Sequence, residues 1–556
     1  MTNLPETQYA VQLVGADELF LNRAKKVIAP RHYQILCRVE AVGLCFSDLK
    51  LLKQFSGHPR KGGIVSGIDS EILKEISSYV PGESPTVPGH ETVVRIEAAG
   101  GGVEKFKRGE RYLVQTDYRW LQTEGSNASF GYNFEGALQE YVLMDERVIT
   151  SPEGDLMLIP VSEELSSSAV ALVEPWACVE NSYASKERRS LKRDGQMLVV
   201  ADIKVGRDVF VNLFERYGRV GQITWVSKFP APAGLDATIR EAANISEVKD
   251  DSYDDVIYFG SSADAVESLY SKVGAGGLLN IVLCEGKLGR DVRAMVGQVH
   301  YGGIRIVGTM GAEPAESMEA IPESGAIRCG ETINIIGAGG PMGMMHVIRN
   351  ICQGVEGVSI FAGDVDERRL ASLSKIAATL AKKNVVEYKP YNPTKEKINE
   401  TFDYTVLMVP EADLVGASVR NSAKAGIINI FAGIADTVSG EINLDTYIEK
   451  QLYFVGTSGS ELEDMRRVLS KVASGSLDTN VSVAAVGGLA GAIDGIIAIE
   501  NRQIAGKIII YPSCKELGLV SLGELSKKLP EVAKCLNNGL WSKKAEERLL
   551  KMHENP

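Results

Sequence analysis

The hydrophobic positions of this chain fall into short β-branched runs separated by longer stretches of mixed polarity, and in the middle of the chain one series of runs occurs twice. The first series is Met197-Leu-Val-Val-Ala-Asp202, Tyr253-Asp-Asp-Val-Ile-Tyr-Phe-Gly260, Leu278-Leu-Asn-Ile-Val282 and Ile304-Arg-Ile-Val-Gly308. The second is Ile333-Asn-Ile-Ile-Gly337, Phe402-Asp-Tyr-Thr-Val-Leu-Met-Val409, Ile427-Ile-Asn-Ile-Phe431 and Leu452-Tyr-Phe-Val-Gly456. Corresponding points lie 149 apart (253 and 402, 278 and 427) or 148 apart (304 and 452, 308 and 456). Short apolar runs alternating with helical stretches predict a parallel sheet covered by helices on both faces. The chain therefore reads as α/β, with two tandem Rossmann-like, doubly wound units at about 191–312 and 331–457. Residues 1–150 differ. Strand runs such as Tyr33-Gln-Ile-Leu-Cys-Arg-Val-Glu-Ala-Val42 and Thr92-Val-Val-Arg-Ile-Glu-Ala98, separated by glycine turns, predict a β-rich, barrel-like domain. Residues 516–556 predict one or two amphipathic helices with a solvated charged face, packed on a neighbouring domain or subunit.

The two repeats differ where a nucleotide would bind. In the second, the strand from Ile333 runs into Gly337-Ala-Gly339-Gly340-Pro-Met342-Gly343, and Val358-Ser-Ile-Phe-Ala-Gly is followed by Asp364. Such glycines let the backbone turn sharply and approach a pyrophosphate, whose charge rests on the amides of a helix starting near Met342. Asp364 can then accept hydrogen bonds from ribose hydroxyls. The spacing G-x-G-G-x-x-G carries one residue more than the usual fingerprint, and the competing reading is a tight strand-to-helix turn with Asp364 or Asp366 capping the helix from Glu367. The first repeat has Ala201-Asp202-Ile-Lys-Val-Gly206 in the same place, and its second strand, Gln222-Ile-Thr-Trp-Val-Ser-Lys228, ends without an acid. Asp202 would set a carboxylate against a pyrophosphate. The first copy thus reads as a spacer or an interface, with a retained ligand site of another kind as the alternative.

Three places nearer the N-terminus carry chemistry. Gly43-Leu-Cys45-Phe-Ser47-Asp48 puts a thiol in a turn after a strand, Val87-Pro-Gly-His90-Glu91 puts an imidazole and a carboxylate before another, and Leu172-Val-Glu174-Pro-Trp puts a carboxylate before a helix. A catalytic zinc takes three ligands from thiolate, imidazole and carboxylate and keeps a fourth position open. Cys45, His90 and either Glu91 or Glu174 meet that requirement. Taken singly, each has a plainer explanation as a buried thiol or a satisfied polar side chain.

As an ordered set these motifs, with Gly109-Glu-Arg-Tyr-Leu-Val, Gly136-Ala-Leu-Gln-Glu-Tyr-Val, the glycine loop, Gly456-Thr-Ser-Gly, Asp464-Met and Gly506-Lys-Ile-Ile-Ile, resemble the zinc-dependent medium-chain alcohol and polyol dehydrogenases. The loop through Met342 is similar to that of the sorbitol and sorbose-phosphate branch. The resemblance covers about 10–190 and 331–512. It implies a GroES-like catalytic domain (1–190) split around the coenzyme domain (331–457), with 458–515 returning to it; the C-terminal helical extension, 516–556, lies beyond the family's usual end. The degenerate unit, 191–330, has no counterpart in the family.

Carried over by residue, Cys45 and His90 are implied zinc ligands, Glu91 or Glu174 the third ligand or a switching partner, and Ser47 the first member of a proton relay. Zinc would lower the pKa of a substrate alcohol, Ser47 would take its proton, and hydride would pass to a nicotinamide. Asp364 favours NAD, because a carboxylate repels a 2′-phosphate, while Arg368 or Arg369 could accept that phosphate of NADP. Lys50 stands where a relay histidine is common. No four-cysteine lobe lies between His90 and Val142, so no structural zinc is expected, and 57–84 adds a loop that could cover the substrate. The implied substrate is a polyol, sugar or sugar phosphate, and the implied assembly a homo-oligomer, dimer or tetramer. The alternatives are a zinc-free reductase of the same superfamily and a non-catalytic ligand-binding or regulatory module.

Composition narrows the partners. With 556 residues there is room for about three or four domains of about 150 residues. A net charge of −12 without basic clusters before the tail argues against an extended nucleic-acid surface. No apolar stretch spans a bilayer and no secretory signal is visible, so the expectation is a cytoplasmic enzyme without membrane partners. The eight scattered cysteines, without C-x-x-C pairs, read as reduced thiols.

Overall fold

The structure, a computed structural model, describes residues 4–553, and these divide into two compact units. One unit runs up to Ala177 and resumes at Ser460; the other is Cys178–Gly459.

In the first unit the strand Gln34–Leu44 is the hub, because its side chains are buried on both faces along nearly its whole length. It pairs antiparallel with Glu91–Ala99 on one side and with Lys507–Ile510 on the other, and Tyr141–Asp145 also adds to it. The sheet continues through Arg111–Val114 to Leu158–Pro160 at one end and through Val483–Gly487 to Val520–Ser521 at the other. The segment after Ser460 thus completes a sheet begun about 470 residues earlier, between Leu44 and Ile508. The insertion at 57–84 is tied down rather than loose. Its strand Ile64–Ser66 pairs with Asp117–Thr123, and the fully buried Lys61 donates to the carbonyls of Val80 and Ser84. Burial pulls the Lys61 ammonium down to about 8.

The C-terminal extension packs on this unit. Glu546, in the helix Lys543–His553, is buried, and its carboxylate accepts from the amides of Ser167 (2.6 Å) and Ser168 (2.8 Å) and from Tyr511 Oη (2.9 Å). Those amides open the short helix Ser167–Ala171, so the carboxylate supplies acceptors that the helix start lacks. Asn480 braces the same turn through Ser166 Oγ and Ser168 Oγ.

The second unit holds two six-stranded, all-parallel sheets. In the first, Gln196–Ala201 lies between Gln222–Ser227 and Tyr253–Phe259, with Thr238–Ala242 at one edge and Val273–Val282 then Arg305–Thr309 toward the other. In the second, Thr332–Ile336 lies between Ser359–Gly363 and Phe402–Leu407, with Glu387–Tyr391, Ser422–Ile430 and Tyr453–Val455 in the corresponding places. Both have the order third, second, first, fourth, fifth, sixth, whose switch point lies beside the first strand. The fold is therefore the expected one: a GroES-like β-rich domain and two tandem Rossmann-like sheets. The inner strands form from the apolar runs because both faces of each are covered.

Candidate functional site

The first unit brings three of the four expected metal ligands together at the ends of adjacent strands. Cys45 follows the central strand, Glu91 opens its neighbour on one side and Lys507 its neighbour on the other. Among the described residues, the ligand atoms of Cys45, His90 and Glu91 all lie within 4.8 Å of one another. His90 and Glu91 are buried, and Cys45 is partly exposed at the N-cap of the helix Phe46–Gln54.

Asp48 organises this corner. Its carboxylate accepts from Cys45 N (2.9 Å) and from Gly89 N (3.3 Å), so one side chain fixes the backbone before both candidate ligands. Its Oδ1 also lies 3.3 Å from His90 Nδ1, off the line of a hydrogen bond but close enough for charge to act. Burial opposes protonation of His90, but Asp48, Tyr132 and Cys45 outweigh it and hold the ring well above its usual range. Nε2, the other ring nitrogen, faces Ser47 Oγ at 3.2 Å, and that hydroxyl lies 3.0 Å from Cys45 Sγ. Asp48 stood in the quoted motif, yet only the fold reveals its positioning role.

Glu91 is divided between two tasks. Oε1 pairs with the buried ammonium of Lys507, whereas Oε2 is buried with no hydrogen-bond partner. The pair reaches across the strand that ends at Leu44, above Gly43, where any Cβ would overlap Glu91 Oε2. A thiol, an imidazole nitrogen and an orphaned carboxylate oxygen on one side of a small space suit a borderline cation such as zinc. Glu174 is placed differently. It is buried in the first turn of Val173–Ala184, but its oxygens do not join the three-atom cluster. Burial pushes its carboxyl up to about 7; His90 and Lys507 pull it down and Glu91 pushes it further up. It therefore shares the electrostatic environment of the three without joining their cluster.

In the second unit the glycine loop has the expected form. Gly337 takes φ +86°, which favours glycine, Gly340 caps the helix Pro341–Cys352, and Met342 and Gly343 lie in its first turn. A Cβ on Gly343 would overlap the Gly337 carbonyl, so this glycine lets the helix pack down on the strand. Gly339 has a reason the sequence did not give: a Cβ there would press on Arg369 and on Asp364. Asp364 Oδ2 accepts from Gly339 N and Oδ1 from Asp366 N, each at 2.9 Å. The acid expected to receive ribose thus also ties the loop to the second strand, with half of its four lone-pair sites left over. Asp366, not Asp364, caps the helix Glu367–Asn384. Arg369 packs at Gly339 while Arg368 is almost fully exposed.

The first copy keeps the glycine that caps the helix, Gly206 standing where Gly340 does, but departs in the turn before it and after the second strand. Ala201 pairs with Ser227 as Ile336 pairs with Gly363, so Asp202 stands in register with Gly337 and Lys228 with Asp364. Asp202 accepts from Tyr258 Oη, and the turn presents a carboxylate where the second copy presents bare backbone.

Residues 31–153 match the sequence family of the alcohol dehydrogenase GroES-like domain. The chain is 28% identical over 251 residues to a mannitol-1-phosphate 5-dehydrogenase of Aliivibrio fischeri, covering 41% of this chain and 58% of that protein. It is 31% identical over 153 residues to an L-sorbose 1-phosphate reductase of Klebsiella pneumoniae, covering 27% and 36%. The chain thus spans less than two thirds of the length of these curated relatives. Among solved structures, 2R,3R-butanediol dehydrogenase from Bacillus subtilis aligns with a TM-score of 0.53 at 14% identity, over 91% of this chain and 100% of that one, a likeness of fold. No helix among the described residues is long and apolar enough to cross a membrane.

Proposed function

Because the chain belongs to the superfamily of medium-chain alcohol and polyol dehydrogenases, we propose that it transfers hydride between a polyol, sugar or sugar-phosphate alcohol and NAD(P), with one zinc held by Cys45, His90 and a carboxylate. The observation that carries this reading is the gathering of one ligand atom each from Cys45, His90 and Glu91 within 4.8 Å, where Glu91 also keeps a buried oxygen without a hydrogen-bond partner. Glu91 is the nearer third ligand, and Glu174 the carboxylate in reserve. The bound cation supplies a Lewis acid for the substrate oxygen. The rest falls to the chain. Asp48 holds the His90 ring and the Cys45 backbone in place, and Lys507 balances the charge of Glu91. Ser47 Oγ, between Cys45 and His90, receives or returns the alcohol proton. Backbone amides at the start of the helix Pro341–Cys352 receive the pyrophosphate, and Asp364 the ribose.

The test is a zinc assay joined to a screen of polyols, sugars and sugar phosphates with NAD and NADP. About one zinc per chain with turnover of one of these classes supports the reading. Turnover without metal leaves a zinc-free reductase, and metal without turnover leaves a binding module. Two variants probe the parts. Gly43→Ala intrudes on Glu91 Oε2 and is expected to weaken zinc binding by about tenfold, read by competition with a chelator; unchanged affinity removes Glu91 from the ligand set. Asp364→Asn keeps an acceptor for Gly339 N but removes the charge that repels a 2′-phosphate. The ratio of kcat/KM for NADP to that for NAD should rise on the order of tenfold, and a constant ratio would count against ribose recognition at Asp364.

A further inference from the structure

The two nucleotide-fold copies meet inside the unit Cys178–Gly459, and they meet through equivalent elements. The short strands Val292–Ala294 and Gly440–Ile442 occupy the same place in the two copies, 148 residues apart (292 and 440), and they pair antiparallel. Val292 lies opposite Ile442, Arg293 opposite Glu441 and Ala294 opposite Gly440. The first residue of each strand therefore faces the equivalent of the last, and the central residue faces its own equivalent. This is the register of an isologous interface, in which position i meets j and j meets i.

The neighbouring contacts obey the same rule. A Cβ on Gly308 would press on the side chain of Ile448, and one on Gly456, the equivalent of Gly308, would press on the backbone of His300, the equivalent of Ile448. Gly297 N donates to Val438 O, while Asp445, which stands in the place of Gly297, accepts from Leu288 N and Gly289 N at 2.9 Å each. A single buried cluster includes Val292, Val296 and Ile306 from one copy and Ile430, Ile442 and Leu444 from the other.

The first copy has lost the glycine turn and the ribose acid, with Asp202 and Lys228 in their places, yet it keeps every element of this contact. We propose that it serves as the built-in partner of the coenzyme copy. The chain is a covalent pseudo-dimer of nucleotide folds in which one half binds and the other covers the apolar edge at Ile442–Ile448. It needs no second chain on that edge and works as a monomer. The inference stands apart from the zinc and substrate readings, since it rests on the contact alone.

The experiment uses the full chain. Arg293 and Glu441 face each other on the exposed side of the two-stranded ribbon, and directly opposed antiparallel residues have Cα atoms about 4.5–5.5 Å apart, within disulfide range. The double variant Arg293→Cys, Glu441→Cys is oxidised in dilute solution beside each single variant. The expected product is an internal disulfide in a species migrating as one chain under non-reducing denaturing conditions, and light scattering of the unaltered protein should give a single-chain mass near 60.1 kDa. A covalent two-chain adduct in the double variant, or a two-chain mass for the unaltered protein, overturns the proposal.

Discussion

Replacing Cys45 by serine is expected to strip zinc from the protein and to lower coenzyme-linked turnover by a factor on the order of 10³ or more, because a Lewis acid is worth several kcal/mol at the reacting oxygen. A hydroxyl is nearly isosteric with the thiol, so packing at this partly exposed N-cap changes little. What changes is the donor, since a neutral hydroxyl is a far weaker zinc ligand than a thiolate. With the sulfur gone, His90 and Glu91 remain of the three-residue cluster, two donors where a catalytic zinc needs three. Metal content measured by mass spectrometry after dialysis should fall from about one atom per chain to near zero. The affinity for NADH reports on the rest of the molecule and should hold. Full zinc occupancy and undiminished turnover in this variant would remove Cys45 from the centre and leave a buried ionic corner built around Asp48 and Lys507.

The legibility of the molecule in its sequence follows the range of the interactions involved. The two nucleotide folds could be read because their strands are buried on both faces, which forces continuous apolar runs, and because the runs repeat at a constant offset. The candidate ligands at 45, 90 and 91 could be read because each sits within a short motif whose turn and strand are local. Lys507 could not: it lies in the quoted Gly506-Lys-Ile-Ile-Ile, but only the pairing of Ile508 with Leu44 carries it to Glu91. The second oxygen of Asp364 was equally hidden, since its bond to Gly339 N depends on how far the loop descends onto the second strand. Nor does any local pattern say that Arg293 faces Glu441, because mixed polar residues in a three-residue strand give no period.

In the C-terminal extension one buried charge was hidden for a related reason. Its helix Lys543–His553 is dense in charge, and charge on a helix is most often solvated, yet one of those charges is inside the protein. Glu546→Ala is expected to destabilise the first unit by about 3–5 kcal/mol, because two main-chain amides and the Tyr511 hydroxyl lose their acceptor in a buried place and each stranded donor costs about 1–3 kcal/mol. The neighbouring Glu547→Ala removes an exposed carboxylate 3.8 Å from Lys543 and should cost about 0.5 kcal/mol or less. Urea unfolding followed by tryptophan fluorescence compares them, since Trp541 donates to Tyr511 Oη and reports on the same corner. Ser167–Ala171 leads directly into Leu172 and Glu174, so loosening its first turn frees the segment that carries the reserve carboxylate. Equal stability of the two variants would mean that the amides of Ser167 and Ser168 find water when Glu546 is gone, and that the extension is a cover rather than a brace.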